Sequence, residues 1–192
     1  PYTYIAQIGY DAFEQRVHVE LGNGAETDYT YDRRTRRLAT LGTEAGGRRF
    51  QALEYTYDRV GNVTDLINAV AIPAEGMGGP VRQHFAYDDL YRLTGASGTY
   101  QGESGATEAY TLSMAYDAIH NIRHKTQRAT VTSATEGEAV KPPLSYDWAY
   151  GYESAKPHAP THIGARSFSY DPNGNLLGWS HDRNNTRRTI TW

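Results

Sequence analysis

The 192-residue sequence contains no cysteine, which rules out disulfides, thiolate metal sites and a cysteine nucleophile. It is also short of aliphatic side chains. Val, Leu, Ile and Phe number 31, about 16% of the chain, below the roughly 20% that usually separates folded from disordered sequences. No apolar run reaches the roughly 18 residues of a membrane-spanning helix. A net charge of −3 gives no overall attraction to nucleic acid or to an anionic membrane. The sequence opens at Pro1 with neither an initiator Met nor a signal peptide, so it is expected to be a piece of a longer protein. Tyrosine is what the sequence has in excess. Its 16 tyrosines can each bury on the order of 150–250 Å², so a folded chain with an aromatic, hydroxyl-rich interior is expected.

The tyrosines are ordered. Tyr-Asp occurs seven times, at Tyr10-Asp11, Tyr31-Asp32, Tyr57-Asp58, Tyr87-Asp88, Tyr116-Asp117, Tyr146-Asp147 and Tyr170-Asp171. The intervals are 21, 26, 30, 29, 30 and 24 residues. Two positions before each Tyr stands an apolar or aromatic residue: Ile8, Tyr29, Tyr55, Phe85, Met114, Leu144 and Phe168. This is the period-2 pattern of a strand with one buried face. Six or seven positions after the Tyr stand Val17, Leu38, Val63, Leu93, Ile122 and Leu176, each preceded by Arg or Asn. The repeating unit is therefore a strand, a tight turn and a second strand.

The turn has a mechanism. In Asp171-Pro172-Asn173-Gly174 the carboxylate can accept backbone N–H groups and Pro fixes φ. Gly174 then takes the left-handed conformation that ends a type I turn with a G1 bulge. Asp58 and Gly61 frame the same turn, whereas Tyr91 and His120 would hold that position against a steric penalty. The units at Tyr10 and Tyr31 carry one extra residue, so different turns are expected there. Asn23-Gly24, as a two-residue turn, and Gly46-Gly47 signal further hairpins. Residues 71–80, 97–105 and 133–143 read as longer connectors, and residues 65–71 come nearest to a helix. The expected fold class is all-β, a successive antiparallel meander of about a dozen to fifteen strands without a separable second domain.

The stretches Tyr55-Thr56-Tyr57-Asp58-Arg59-Val60-Gly61-Asn62-Val63 and Tyr170-Asp171-Pro172-Asn173-Gly174-Asn175-Leu176 resemble the YD repeat of RHS-repeat proteins. Pro157-His158-Ala159-Pro160-Thr161-His162-Ile163-Gly164 is similar to a stretch common in bacterial members. The resemblance covers nearly the whole chain and is weakest at residues 71–81, 97–107 and 130–143. It implies a single YD/RHS-repeat β-sheet region over residues 1–192, a fragment of a longer shell of spiralling sheets. In bacterial members, among them insecticidal toxin complexes and secreted polymorphic toxins, such a shell encloses a C-terminal toxin domain. Teneurins carry a related shell on animal cells. The implied partners are the remainder of the shell, the enclosed toxin domain and a secretion or translocation component, and the implied localisation is secreted. The aspartates with which bacterial members cut their own chain lie in a shell-closing core that has no match here, so no self-cleaving residue carries over.

Within this scheme the Tyr and Asp of the seven pairs, with Gly61 and Gly174, are the repeat-defining structural residues. The unit at Tyr146 departs from it, because Asp147 is followed by Trp148-Ala149-Tyr150-Gly151-Tyr152. Ile190-Thr191-Trp192 repeats the apolar-x-aromatic pattern once more.

The remaining motifs read as structural. His120 and His124, like His158 and His162, have a helical ligand spacing, but four residues of strand span about 13 Å, too far for one ion. Arg33-Arg34-Thr35-Arg36-Arg37 falls in a hairpin turn and reads as a solvated or salt-bridged face. No Gly-x-Ser-x-Gly elbow occurs. The glycine-rich pieces at 76–79 and 95–98 lack a following helix and a phosphate-loop Lys, and read as loops. No catalytic residue, metal or cofactor is expected, and no nucleic acid or membrane insertion. The alternative is an extracellular carbohydrate- or receptor-binding β-repeat module working through Trp148, Tyr150, Tyr152 and Trp179. The absence of Cys favours a bacterial protein made in a reducing cytoplasm over a disulfide-bearing animal ectodomain.

Overall fold

The structure is a computed structural model that describes residues 2–72, 78–102 and 105–192. Sixteen strands form one antiparallel, hairpin-rich sheet whose order follows the chain, with one strand off the path. Contacts gather into two units, Pro1–Thr111 with Ala129–Val140, and Leu112–Arg128 with Lys141–Trp192.

In the first unit, β1 (Ile5–Tyr10), β2 (Arg16–Leu21), β3 (Glu26–Tyr31) and β4 (Leu38–Ala45) are followed by β5 (Arg48–Tyr57), β6 (Val63–Asn68), β7 (Val81–Tyr87) and β8 (Leu93–Gln101). Tyr10, Tyr31, Tyr57 and Tyr87 each end a strand, opposite Arg16, Leu38, Val63 and Leu93, with a bulge one step inside each pair. Exposure alternates as the period-2 pattern requires in β3, β5 and β7, whereas in β1 both Ile8 and Tyr10 are exposed. Tyr29 with Tyr31, Tyr55 with Tyr57, and Phe85 with Tyr87 lie half-buried on one face, while Thr30, Thr56 and Ala86 between them are exposed. β9 (Thr107–Tyr116) and β10 (Ile122–Ser133) contribute to both units, and β11 (Gly137–Val140) pairs with the end of β10.

The second unit continues with a 3₁₀ turn at Pro142–Leu144, then β12 (Tyr146–Gly151), β13 (His162–Ile163), β14 (Arg166–Tyr170), β15 (Leu176–His181) and β16 (Arg187–Thr189). β14 and β15 form the last Tyr-Asp hairpin, with Tyr170 opposite Leu176.

Burial is shallow. Among the described residues the only buried hydrophobic side chains are Ala25, Ala96 and Ala129, and no large side chain is fully buried. Cohesion therefore resides in cross-strand pairs and hydrogen bonds, not in a central core.

Several segments differ from their sequence expectation. Residues 65–68 are strand, because Asp65 and its neighbours are paired on both sides, by β5 and by β7. A short uncapped helix could not offset that ladder. Residues 95–98 are strand as well, and β8 runs on to Gln101. Glycine serves there to admit a ring: a Cβ on Gly98 would lie 2.5 Å from Tyr110 Cε1. The 133–143 connector contains β11 and the 3₁₀ turn. Within the other two expected connectors, residues 73–77 and 103–104 lie outside the described residues, and so does Gly76.

The Tyr10 unit has no extra residue. The Asp11 N–H donates to Gln15 O, the same span as Asp58 to Asn62, and only the Tyr31 unit is longer, with Asp32 N–H donating to Arg37 O. The Asn23-Gly24 turn holds three residues, since the Leu21 N–H donates to Ala25 O. Gly46 and Gly47, at φ 58° and 75°, make the two-residue turn between Ala45 and Arg48.

Candidate functional site

The recurring chemistry sits at the turns. Asp58 Oδ1 accepts the N–H groups of Val60, Gly61 and Asn62 at 3.0, 2.7 and 2.9 Å, and Oδ2 accepts the Asn62 side-chain amide at 2.8 Å. Asp117 with Asn121 and Asp171 with Asn175 repeat the amide clasp, and at Asp88 the Arg92 Nε takes that place at 2.7 Å. In these four turns the Asn or Arg before the second strand thus closes the turn through its side chain, a role its residue type alone does not disclose. In the five turns of equal length the fourth residue is left-handed, with Glu14, Gly61, Tyr91, His120 and Gly174 at φ 62°, 113°, 61°, 69° and 92°, and in the longer Tyr31 turn it is the fifth, Arg36, at φ 61°. Arg37 reaches onward instead, donating from Nη1 to Asp58 O at 2.8 Å. Gly61 leaves room for it, since a Cβ there would lie 2.9 Å from Arg37 Nη2.

The tyrosines connect one hairpin to the previous one. The Tyr31 hydroxyl donates to Arg16 O, Tyr57 to Leu38 O and Tyr87 to Val63 O, each at 2.9 Å. Each acceptor is the first residue of the preceding hairpin's second strand. At the far end Trp192 Nε1 donates to Leu176 O at 2.9 Å, so an indole does the work of the phenol. The Tyr116 hydroxyl lies 3.7 Å from Met114 Sδ.

Tyr146 and Asp147 stand apart. They open β12 and do not end a strand at a turn. Asp147 instead accepts from Thr126 Oγ1 at 2.9 Å and pairs with His124 Nε2 at 2.6 Å. The bond to Ile122 O comes from Tyr152, at 3.0 Å. The segment beyond it is a clasp. Asn121, buried, donates to Pro157 O at 2.7 Å and meets His158 Nδ1 at 2.9 Å, while Pro160 O accepts the Tyr170 hydroxyl at 3.1 Å. The Tyr-Gly-Tyr sequence after Trp148 was the one available signal for Tyr152.

These contacts set the electrostatics. At Asp58, Asp88 and Asp117 partial desolvation is the largest single influence and opposes ionisation. The turn N–H groups and the Asn62, Arg92 or Asn121 side chains together outweigh it, so all three carboxyls ionise below the usual range. Asp171 is lowered by the Asn175 amide, and Asp32 by the Thr35 N–H and hydroxyl. Burial pushes Tyr57, Tyr87, Tyr152 and Tyr170 up.

The other candidates are dispersed. Among the described residues no three His or carboxylate side chains gather as a metal site. Arg36 stacks over Phe13 with its guanidinium carbon 3.3 Å from the ring centroid. Of the four aromatic suspects, Tyr152 is tied to Ile122, Trp179 lies under Arg166, and Trp148 stacks on Tyr146 at 4.0 Å.

Hairpins laid side by side, with carboxylate-clasped turns and phenols tied to the preceding hairpin, define an RHS-type repeat sheet. The same fold occurs in a TcdB2-TccC3-Cdc42 structure, which matches 92% of this chain and 10% of its own at a TM-score of 0.67 and 20% identity. A Photorhabdus luminescens Tc holotoxin pore structure matches 97% of this chain and 10% of its own at a TM-score of 0.64 and 20% identity. Two curated relatives come from Yersinia entomophaga. Toxin subunit YenC1 is 36% identical over 102 residues, 49% of this chain, and toxin subunit YenC2 is 31% identical over 155 residues, 67% of this chain. The chain spans only 10% and 16% of their respective lengths. No family model matches the sequence. The chain is homologous to these bacterial Tc toxin subunits, among the RHS-repeat toxin shell proteins.

Proposed function

We propose that this chain is one repeat region in the wall of a longer shell, which holds and shields the C-terminal toxin domain of its parent protein until a toxin complex or secretion system delivers it. The observation that carries this reading is the phenol-to-carbonyl tie. In three successive hairpins Tyr31, Tyr57 and Tyr87 fasten their hairpin to the one before it, which suits a unit that propagates a sheet. The Tyr and Asp of the repeats are wall residues in this scheme, and the chain is non-catalytic. Shielding works by excluding proteases and partners, and release follows from opening of the wall. Around β1, Tyr4, Ile5, Tyr10 and Phe13 are 78%, 52%, 61% and 58% exposed, a row that suits a further repeat of the parent.

The test is limited proteolysis of the intact parent carrying a fluorescent label on its C-terminal domain. The label should stay in a protected fragment under protease conditions that digest the isolated domain. Equal digestion rates for the enclosed and isolated domains would refute containment.

A further inference from the structure

One strand of the second unit is left partly unpaired beside a basic, aromatic groove. On one side of β12, Tyr146–Ala149 pair with β10. On the other, β13 has two residues and pairs only Tyr150 and Gly151, and the Gly164 N–H reaches Ala149 O at 2.9 Å. Beyond that point β13 turns back into β14 and no longer pairs with β12, so the Tyr146–Trp148 backbone borders a groove of about 670 Å³. Trp148 stacks on Tyr146, and Phe168 lines the groove with them. Gly164, at φ 55°, seats the indole, for a Cβ there would lie 2.8 Å from Trp148 Cδ1.

The rim is positive. Arg166 and Arg183 line the groove, and neither guanidinium has a carboxylate partner among the described residues. Arg166 stacks over the Trp179 ring at 5.1 Å. The one acid on the lining, Asp147, is already engaged by Thr126 and His124.

We infer that this edge and groove form a docking site for an extended, acidic peptide strand. The strand adds to the free edge of β12, its alternate side chains meet Tyr146 and Trp148, and its carboxylates meet Arg166 and Arg183. A sugar could stack on the same rings, but it would leave the strand edge unpaired. The inference does not depend on the containment role and is measured on the chain alone.

Fluorescence anisotropy tests it with four labelled probes: an octapeptide alternating Glu with Val or Tyr, its Lys counterpart, the acidic peptide N-methylated at alternate backbone amides, and an oligogalacturonate. The acidic peptide should bind, more tightly at low salt. The Lys and N-methylated peptides should bind at least about tenfold more weakly. Arg183→Glu, on the exposed β15–β16 turn, should weaken the acidic peptide about tenfold while leaving the β-sheet circular dichroism intact. Four outcomes overturn the inference: no binding of the acidic peptide at millimolar concentration, equal binding of the N-methylated peptide, an unchanged affinity in Arg183→Glu, or binding of the oligogalacturonate alone.

Discussion

Replacing Tyr57 by Phe removes one atom from the tie between two hairpins and leaves the ring in place. The Tyr57 hydroxyl donates to Leu38 O at 2.9 Å, and the ring lies 6.4 Å from Tyr55 and 5.5 Å from the Arg37 guanidinium. Those ring contacts survive in Phe. The loss is the hydrogen bond, together with poorer solvation of a half-buried carbonyl, about 1 kcal/mol. For a chain of this size that lowers the melting temperature by about 2–4 °C. Tyr55→Phe is the control, since its ring shares the half-buried face but no hydrogen bond of its hydroxyl is among the described contacts. It should stay within about 0.5 kcal/mol of the parent. Thermal melts followed by circular dichroism compare the two, and amide exchange at the β3–β4 and β5–β6 turns shows whether the change is local. Equal losses from Tyr55→Phe and Tyr57→Phe, or none from Tyr57→Phe, would refute the tie as a stabilising element.

Tyr91→Gly should stabilise the protein by about 0.5–1 kcal/mol, because Tyr91 is 60% exposed at φ 61°, where a side chain is strained. Urea unfolding with a lower midpoint would contradict this. Acid should destabilise the turns. The carboxyls of Asp32, Asp58, Asp88, Asp117 and Asp171 lie below their ordinary 3.8, so their contribution is complete above that value and fades as pH falls through the lowered ones. The four raised tyrosines have the opposite sign: their contribution is present below their ordinary 10.0 and is lost as pH rises through the raised values. The melting temperature should therefore fall both below about pH 4 and above about pH 10. A profile flat at either limit would show that the corresponding groups do not report on folding.

Where side-chain alternation and turn chemistry are local, the residues dictated the structure. The apolar-x-Tyr spacing placed Tyr57 and Tyr87 at strand ends, and the Asp four residues before Asn62 or Asn175 fixed the turn, because a carboxylate, its own backbone and a left-handed fourth residue lie within one turn of chain. Tyr91 and His120 hold that conformation without glycine, as their positions required. The count of residues in the Tyr10 turn misled, since Arg16 stands where the other units have an apolar side chain and its identity hid the shared register.

Tertiary structure alone chose Tyr152 over Tyr146. The criterion is reach to Ile122 O, 30 residues earlier, and nothing in the local spacing encodes that distance. The same holds for Gly98, which stays in a strand because the Tyr110 ring covers it, and for His158, whose partner Asn121 arrives from another hairpin. Local dihedral preferences settle within a few residues. Which distant carbonyl, ring or amide completes them is decided only when the strands come into register.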